Sequence, residues 1–174
     1  MIIVEEVFRV LFNKLPLMII GSGTYKVNYG FGSHKDLLRY MNSQRKAQGG
    51  VSYPIIWLET PLERSIRRDG LVTITNLKLV LATLSNINDS NVTRLEKTFK
   101  PTLIPLYDNV IEILKTSGYT RILDNDDNRV TNYYNFGVDA DFLKDRQSAK
   151  TDDIWDAIKL ELNITMSKDC SLLA

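Results

Sequence analysis

The stretch that decides the fold is Ile154–Met166, with the sequence IWDAIKLELNITM. Apolar side chains recur at even positions from Ile158 to Met166, and polar side chains such as Lys159 and Glu161 stand at the odd positions between them. A period of two over this length predicts a long β-strand with one face in a core and the other face in water. We therefore expect this strand to complete a β-sheet.

The length, charge and cysteine content of the chain bound its class. Its 174 residues predict one domain, and the formal net charge of +1 gives no bulk attraction to nucleic acid or to a membrane surface. A single cysteine, Cys170, excludes an internal disulfide and indicates a reducing compartment. Glu5 and Glu6 occupy the place where a signal peptide would carry positive charge. We therefore expect neither a signal peptide nor a membrane span.

Capping and proline signals predict the helices that follow an amphipathic N-terminal helix. Ser33 and Asp36 form a capping box that opens a second helix. A third, long helix is predicted over residues 92–117, and it contains Pro101 and Pro105. Because proline cannot donate a helical hydrogen bond, we expect a kink there or two stacked helices.

Two hairpins supply most of the predicted strands. An apolar strand over residues 53–58 leads to Asp69-Gly70, a dipeptide typical of a type I′ turn. In the return strand over 71–84, the apolar phase changes at Asn76, which predicts a β-bulge. A further strand over 130–138 pairs with the final strand in the second hairpin.

This order of elements predicts an α+β fold. We expect an antiparallel (mixed) β-sheet with long hairpins, packed on one face against helices. Residues 1–174 form a single domain in this interpretation, with protruding hairpin or loop regions at about 59–71 and 124–153.

Four motifs that could carry chemistry depart from their consensus patterns. Asp124-x-Asp126-x-Asn128 begins like a calcium-binding loop, but Arg129 and Asn135 stand where glycine and glutamate are needed. The pair Gly21 and Gly23 is followed by Lys26 in place of the third glycine of a dinucleotide-binding loop.

The remaining two motifs are the only histidine and the carboxylate pairs. Nothing in the sequence connects His34 to a nucleophile. The pairs Asp126/Asp127 and Asp152/Asp153 are typical of solvated loops, although such pairs also bind magnesium. We predict no catalytic residue, no cofactor and no metal site.

The candidate interface residues are the apolar and basic side chains of the two protruding regions. They are either exposed anchors for a partner or side chains that fold back onto the core of their own subunit, and the sequence leaves both open. These residues are Leu62, Ile66, Arg67, Arg68, Tyr133, Tyr134, Phe136, Phe142 and Leu143.

Four strings over roughly residues 30–166 resemble a known class of virion proteins. They are GSHKDLLRYMN (32–42), YPIIWLE (53–59), RLEKTFKPTLIPLYD (94–108) and DIWDAIKL (153–160). Together with the element order, they resemble the tail-terminator and tail-completion proteins of tailed bacteriophages. They are particularly similar to the head–tail ring proteins of Bacteroidetes-infecting, crAss-like phages.

The resemblance implies a tail-terminator-like α+β fold without enzymatic activity. It implies a homo-oligomeric ring of six or twelve copies at the portal–tail junction of the virion, assembled in the host cytoplasm. Its partners are then copies of itself, the portal and adjacent connector or tail proteins, and DNA passes through without sequence-specific binding. The loops and hairpins carry the interface function in that family, which points here to residues 59–71 and 124–153.

Two other functions stay open at this stage. One is a non-enzymatic adaptor that bridges other proteins as a monomer or dimer. The other is an enzyme that uses a carboxylate site with a divalent metal.

Overall fold

The computed structural model describes residues 3–46, 54–86, 88–124, 127–136 and 154–167, and their fold is α+β as the sequence predicts. The helical segments are α1 (Val4–Phe12), α2 (His34–Lys46), α3 (Asn91–Arg94), a π-helix (Leu95–Leu103) and α4 (Ile104–Thr116). The strands are β1 (Met18–Ile20), β2 (Gly23–Tyr25), β3 (Asn28–Gly32), β4 (Ile55–Glu59), β5 (Glu63–Ile66), β6 (Val72–Ser85), β7 (Thr120–Ile122), β8 (Arg129–Phe136) and β9 (Ile154–Met166). Within these described residues, no helix is both long and apolar enough to cross a membrane.

The main sheet is built around the two longest strands, β6 and β9. Its order is β3-β4-β6-β9-β7, and only β3 and β4 run parallel. Strand β5 pairs with the first part of β6, and β4 pairs with the later part. Strands β7 and β8 divide the outer edge of β9 in the same way. Strands β1 and β2 form a separate two-stranded hairpin.

One face of the sheet carries the main core, which we call the helix-side face. Even-numbered residues of β9 from Ile158 to Met166 pack there, as their alternation predicts. Strand β6 adds Leu79 and Leu81, which are fully buried. The helices that cover this face are α1, the π-helix and α4, through a set of buried side chains that includes Val4, Phe8, Leu11, Phe99, Leu103, Leu106, Val110 and Leu114.

The opposite face is not left to water along its whole length, so the predicted one-sided burial is wrong there. Trp155 and Ala157 are buried in a second core beneath Leu37 and Met41 of α2. Helix α2 follows β3 directly, and the parallel pairing of β3 with β4 brings it over this face. The expectation of helices on only one face is wrong for the same reason.

The turn chemistry of the first hairpin is partly as predicted. The register between β6 and β9 shifts after Ile74, and Asn76 has a φ of 54°, which confirms the β-bulge. The turn at Asp69-Gly70 is not type I′, because only Gly70 has a positive φ. Instead, Gly70 N donates to Arg67 O at 2.9 Å, which is the pattern of a type I turn followed by a glycine bulge.

The long helical region confirms an interruption at its prolines and adds a π-helix. Pro101 lies inside the π-helix and Pro105 in the first turn of α4. Because α4 continues directly from the π-helix, the missing N–H of Pro105 removes one helical hydrogen bond at this junction. The wider π-helical turn accommodates Pro101, where the sequence predicts a kink or two stacked helices.

Candidate functional site

Among the residues that the structure describes, the most exposed large apolar side chain is presented by the β5–β6 hairpin. Ile66 is 78% exposed, and Arg64, Arg67 and Arg68 around it are exposed as well. We call Arg64–Arg68 the basic hairpin tip. Two hydrogen bonds of 2.9 Å, Arg67 N to Leu71 O and Gly70 N to Arg67 O, fix its shape. The predicted residue Leu62, by contrast, is half-buried against the main core.

The predicted aromatic residues of β8 fold back onto their own subunit. Phe136 is buried in the second core, and Tyr133 contacts its ring edge-on with centroids 5.6 Å apart. Tyr134 packs against Phe99 of the π-helix at 4.6 Å. These three side chains therefore pack onto the core of their own subunit and are not exposed anchors for a partner. Phe142 and Leu143 lie outside the described residues.

An acidic turn follows β7 on the other edge of the sheet. Asp124 and Asp127 are exposed there, and Asp126 lies outside the described residues. Asn128 ties the turn to β9, because its Nδ2 donates to Leu123 O at 2.6 Å and its Oδ1 accepts from Asn163 N at 2.9 Å. The motif that begins like a calcium loop is thus a turn whose asparagine bonds to backbone.

A chain of asparagines connects this turn to the bulge in β6. Asn163 Oδ1 accepts from Asn76 N at 2.9 Å, and Asn163 N in turn donates to Asn128. We call Asn76, Asn163 and Asn128 the asparagine ladder. It satisfies the backbone donor that the bulge frees, so the bulge and the acidic turn hold a fixed relative position. The sequence indicates the bulge but not its partner, which is 87 residues away.

A polar groove lies on the face opposite the main core, next to the bulge. It consists of two adjoining cavities of about 280 and 320 Å³ that share Thr75 and Asn76. The first cavity is also lined by Asp127, Arg129, Glu161 and Asn163. The second is lined, among others, by His34, Glu59, Glu63 and Lys78. We call the first the acidic end of the groove and the second the histidine end.

The histidine end contains a nearly buried carboxylate that is fully paired. Glu59 Oε1 lies 2.8 Å from His34 Nδ1, and Glu59 Oε2 lies 3.2 Å from Lys159 Nζ. A carboxylate beside a histidine orients imidazoles for proton transfer in enzymes. Here the same carboxylate also holds Lys159, and the pair joins the start of α2 to the end of β4. The sequence gives no signal for it, because Glu59 reaches His34 only through the parallel register of Gly32 with Glu59.

A buried ion pair lies at the other end of β9. Arg94 Nη1 is 3.4 Å from Asp156 Oδ1 and also donates to Asn135 Oδ1. The same guanidinium donates to the carbonyl oxygens of Asn86 and Asp89. This network fastens the start of the π-helical region to β8 and β9, and its role is structural.

Further exposed apolar residues are not among the predicted interface residues, although Val130 lies within the predicted region 124–153. Leu17 and Ile19 of the β1–β2 hairpin are 61% and 71% exposed, and Val130 of β8 is 53% exposed. Leu17 and Ile19 form what we call the β1 apolar pair. The sequence alone does not distinguish this pair from core residues, because each is simply an apolar residue in or beside a short strand.

The chain matches no protein-family model, and no curated protein sequence matches it.

Proposed function

We propose that this protein is a non-enzymatic structural subunit that assembles with copies of itself into a ring at the head–tail junction of a phage virion. The ring joins the portal to adjacent connector or tail proteins around the DNA channel. The observation that carries the proposal is the basic hairpin tip, where a rigid turn presents Ile66 to solvent at 78% exposure. An apolar side chain held out by a fixed backbone is typical of an interface anchor.

The arrangement of the sheet edges supports ring assembly. Strand β5 lies on the outer side of β6, and strand β8 lies on the outer side of β9, so the two carry different surfaces to opposite edges. A ring needs such heterologous contacts, in which one surface of a subunit meets a different surface of the next. A stable contact of this kind buries about 800 Å² on each partner.

The charge of the chain supports a channel through which DNA moves. A formal net charge of +1 gives the chain no bulk excess of cations to hold phosphates by counterion release. In this proposal the DNA passes through the ring without sequence-specific binding. In this proposal the virion ring assembles in the host cytoplasm and needs no cofactor.

The experiment compares serine substitutions at two aliphatic residues, Ile66 and Val92, whose exposed fractions are similar. Ile66 is 78% exposed and Val92, at the start of α3, is 74% exposed. We expect Ile66→Ser to lower the fraction of assembled protein by at least about tenfold, since one well-packed anchor contributes about 2 kcal/mol to an interface. Val92→Ser should leave assembly unchanged. Mass photometry over a concentration series measures both, and equal behaviour of the two variants contradicts the proposal.

A second candidate function is an adaptor that bridges other proteins as a monomer or dimer. The β1 apolar pair favours it, because this exposed surface lies on a hairpin away from the main sheet. Leu17→Ser with Ile19→Ser distinguishes the two. In the ring proposal, this variant still forms rings and loses only the contact to a non-identical neighbour. In the adaptor proposal, the wild-type protein forms no ring at any concentration.

A further inference from the structure

We propose that each subunit inserts its basic hairpin tip into the acidic end of the polar groove of the next copy. This inference rests on the proposed ring function and names the two surfaces that meet. The juxtaposition is Arg67 and Arg68 of one copy against Asp127 and Glu161 of its neighbour.

The inserted surface is rigid and carries a local excess of positive charge. Arg64, Arg67 and Arg68 are exposed, and two carboxylates, Glu63 and Asp69, flank them. Asp69 Oδ1 accepts from Leu71 N at 3.0 Å, so this carboxylate is already engaged in shaping the turn. The arginines are thus the side chains left to bind a partner.

The receiving surface offers carboxylates beside an open cavity of about 280 Å³. Asp127 is exposed, whereas Glu161 is half-buried and lies 3.8 Å from Lys159 Nζ. Glu161 also stands opposite Arg129 and Lys78 in the strand register, so Asp127 is the carboxylate that is more open to a partner. Guanidinium groups bind carboxylates through paired hydrogen bonds. Arg129 is the one cation that lines this end.

The apolar residues of the two surfaces lie on matching sides of the sheet. Ile66 pairs with Val72, and Val130 pairs with Leu160. Both pairing partners belong to the main core, so Ile66 and Val130 project on the helix-side face. Arg67 continues the alternation toward the opposite face, which is where the groove lies. One docking movement therefore brings Ile66 toward Val130 while the arginines reach the carboxylates.

The occupant is a second copy because this chain itself carries both complementary surfaces. The tip lies beside Leu71, directly before β6, whereas Glu161 of the groove pairs with Lys78, further along the same strand. At about 3.3 Å per residue, this separation is roughly 20 Å along the sheet. A subunit therefore cannot easily satisfy its own groove, and head-to-tail contacts between copies follow, as a ring requires.

The test exchanges the charges of the two surfaces in the full-length chain. One variant is Arg67→Glu with Arg68→Glu, and the other is Asp124→Arg with Asp127→Arg. The matched control is Lys35→Glu with Arg39→Glu, which alters two exposed cations of α2 by the same total charge. Circular dichroism verifies that each variant is folded, and native mass spectrometry measures the assembly state.

We expect each surface variant alone to lower the assembled fraction by at least about tenfold, because like charges then meet in every contact. An equal mixture of the two variants restores the rings, since alternating copies again pair opposite charges. The control variant assembles like the wild-type protein.

Three results would overturn the inference and separate it from the proposed function. If the wild-type protein forms rings and either surface variant does so equally well, the pairing is wrong while the ring function stands. If both variants fail and the mixture stays dissociated, the two surfaces do not meet each other. If the wild-type protein is a single copy at every concentration, the ring function itself fails and the inference with it.

Discussion

The two halves of β9 share one face of the sheet and differ on the other. On the helix-side face, buried apolar residues run from Ile158 to Met166 without a break. On the opposite face, the first half buries Trp155 and Ala157 under α2, whereas the second half presents Glu161 to the polar groove. The same alternating pattern therefore supports a second core at one end and an open charged surface at the other.

The change between the two halves falls just before the bulge at Asn76, where Glu161 pairs with Lys78. Beyond it, β6 pairs with β5 instead of β4, and α2 no longer covers the sheet. Stability is thus concentrated in the covered half, and the open half is free to bind a partner. Four sets of substitutions test this account, starting with the largest expected effect.

The covered half contains a buried ion pair, Arg94 with Asp156, and a second, partly buried pair, Lys159 with Glu59, lies beside the groove. We expect Arg94→Met to lower the free energy of unfolding by about 3–5 kcal/mol, because Asp156 is left as an unpaired buried charge. Lys159→Met should lower the free energy of unfolding by about 1 kcal/mol or less, because Glu59 stays bonded to His34. Urea unfolding measures both. As a control, Arg94→Met with Asp156→Leu should recover part of the loss, and equal costs for the two single variants would contradict the division.

Apolar burial on the second face gives the next contrast. Trp155 is 5% exposed, and Trp155→Ala should cost about 3–5 kcal/mol because it leaves a large cavity under α2. Glu161→Ala, on the same face of the same strand, should cost less than about 1 kcal/mol. Thermal unfolding compares the two. If Glu161→Ala is the more damaging, then the groove supports the fold and is not a free surface.

The asparagine ladder is tested by removing its central side chain. Asn163→Leu leaves the backbone N–H of Asn76 without its acceptor in the bulge, which should cost about 1–3 kcal/mol. Asn76→Gly should be tolerated, because glycine readily adopts the φ of 54°. Asn76→Val should be destabilised by about 1–3 kcal/mol at the same φ. Equal stability of the glycine and valine variants would show that the bulge does not fix this conformation.

The smallest effect concerns the capping box of α2. Hydrogen bonds from Ser33 Oγ and Ser33 N to Asp36 lower the pKa of this carboxyl from its ordinary value of 3.8. Because the folded pKa is the lower one, Asp36 adds stability above its unfolded pKa, and this is lost as the pH falls through the folded pKa. Thermal unfolding from about pH 7 to about pH 2 should therefore show Asp36→Asn less stable at neutral pH and converging with the wild-type protein in acid. A constant difference across this range would refute the assignment.

Local patterns in the sequence predicted much of the fold. The alternation in Ile154–Met166 gave both ends of β9, the phase change gave the bulge at Asn76, and Ser33 with Asp36 gave the start of α2. These features depend on neighbours a few residues apart. The covering of the second face by α2 depends instead on where β3 pairs, and no local pattern encodes that pairing.

The candidate site was harder to predict for the same physical reason. Exposed arginines and Ile66 in a short hairpin are recognisable, because a turn dipeptide follows them at once. Aromatic residues in a strand are equally typical of an exposed anchor and of a core, so the sequence does not separate the two cases. Tertiary packing is what covers Tyr133, Tyr134 and Phe136. The groove is assembled from β4, β6, β8 and β9, so its residues meet only after the sheet forms.

The most direct test of the central claim is electron microscopy of the purified full-length protein at high concentration. If the subunit exists to assemble with copies of itself, class averages should show closed rings of six or twelve copies around an open channel. Closed rings arise when a heterologous contact repeats and returns to its start. Images that contain only single copies, or only open filaments, would contradict the account.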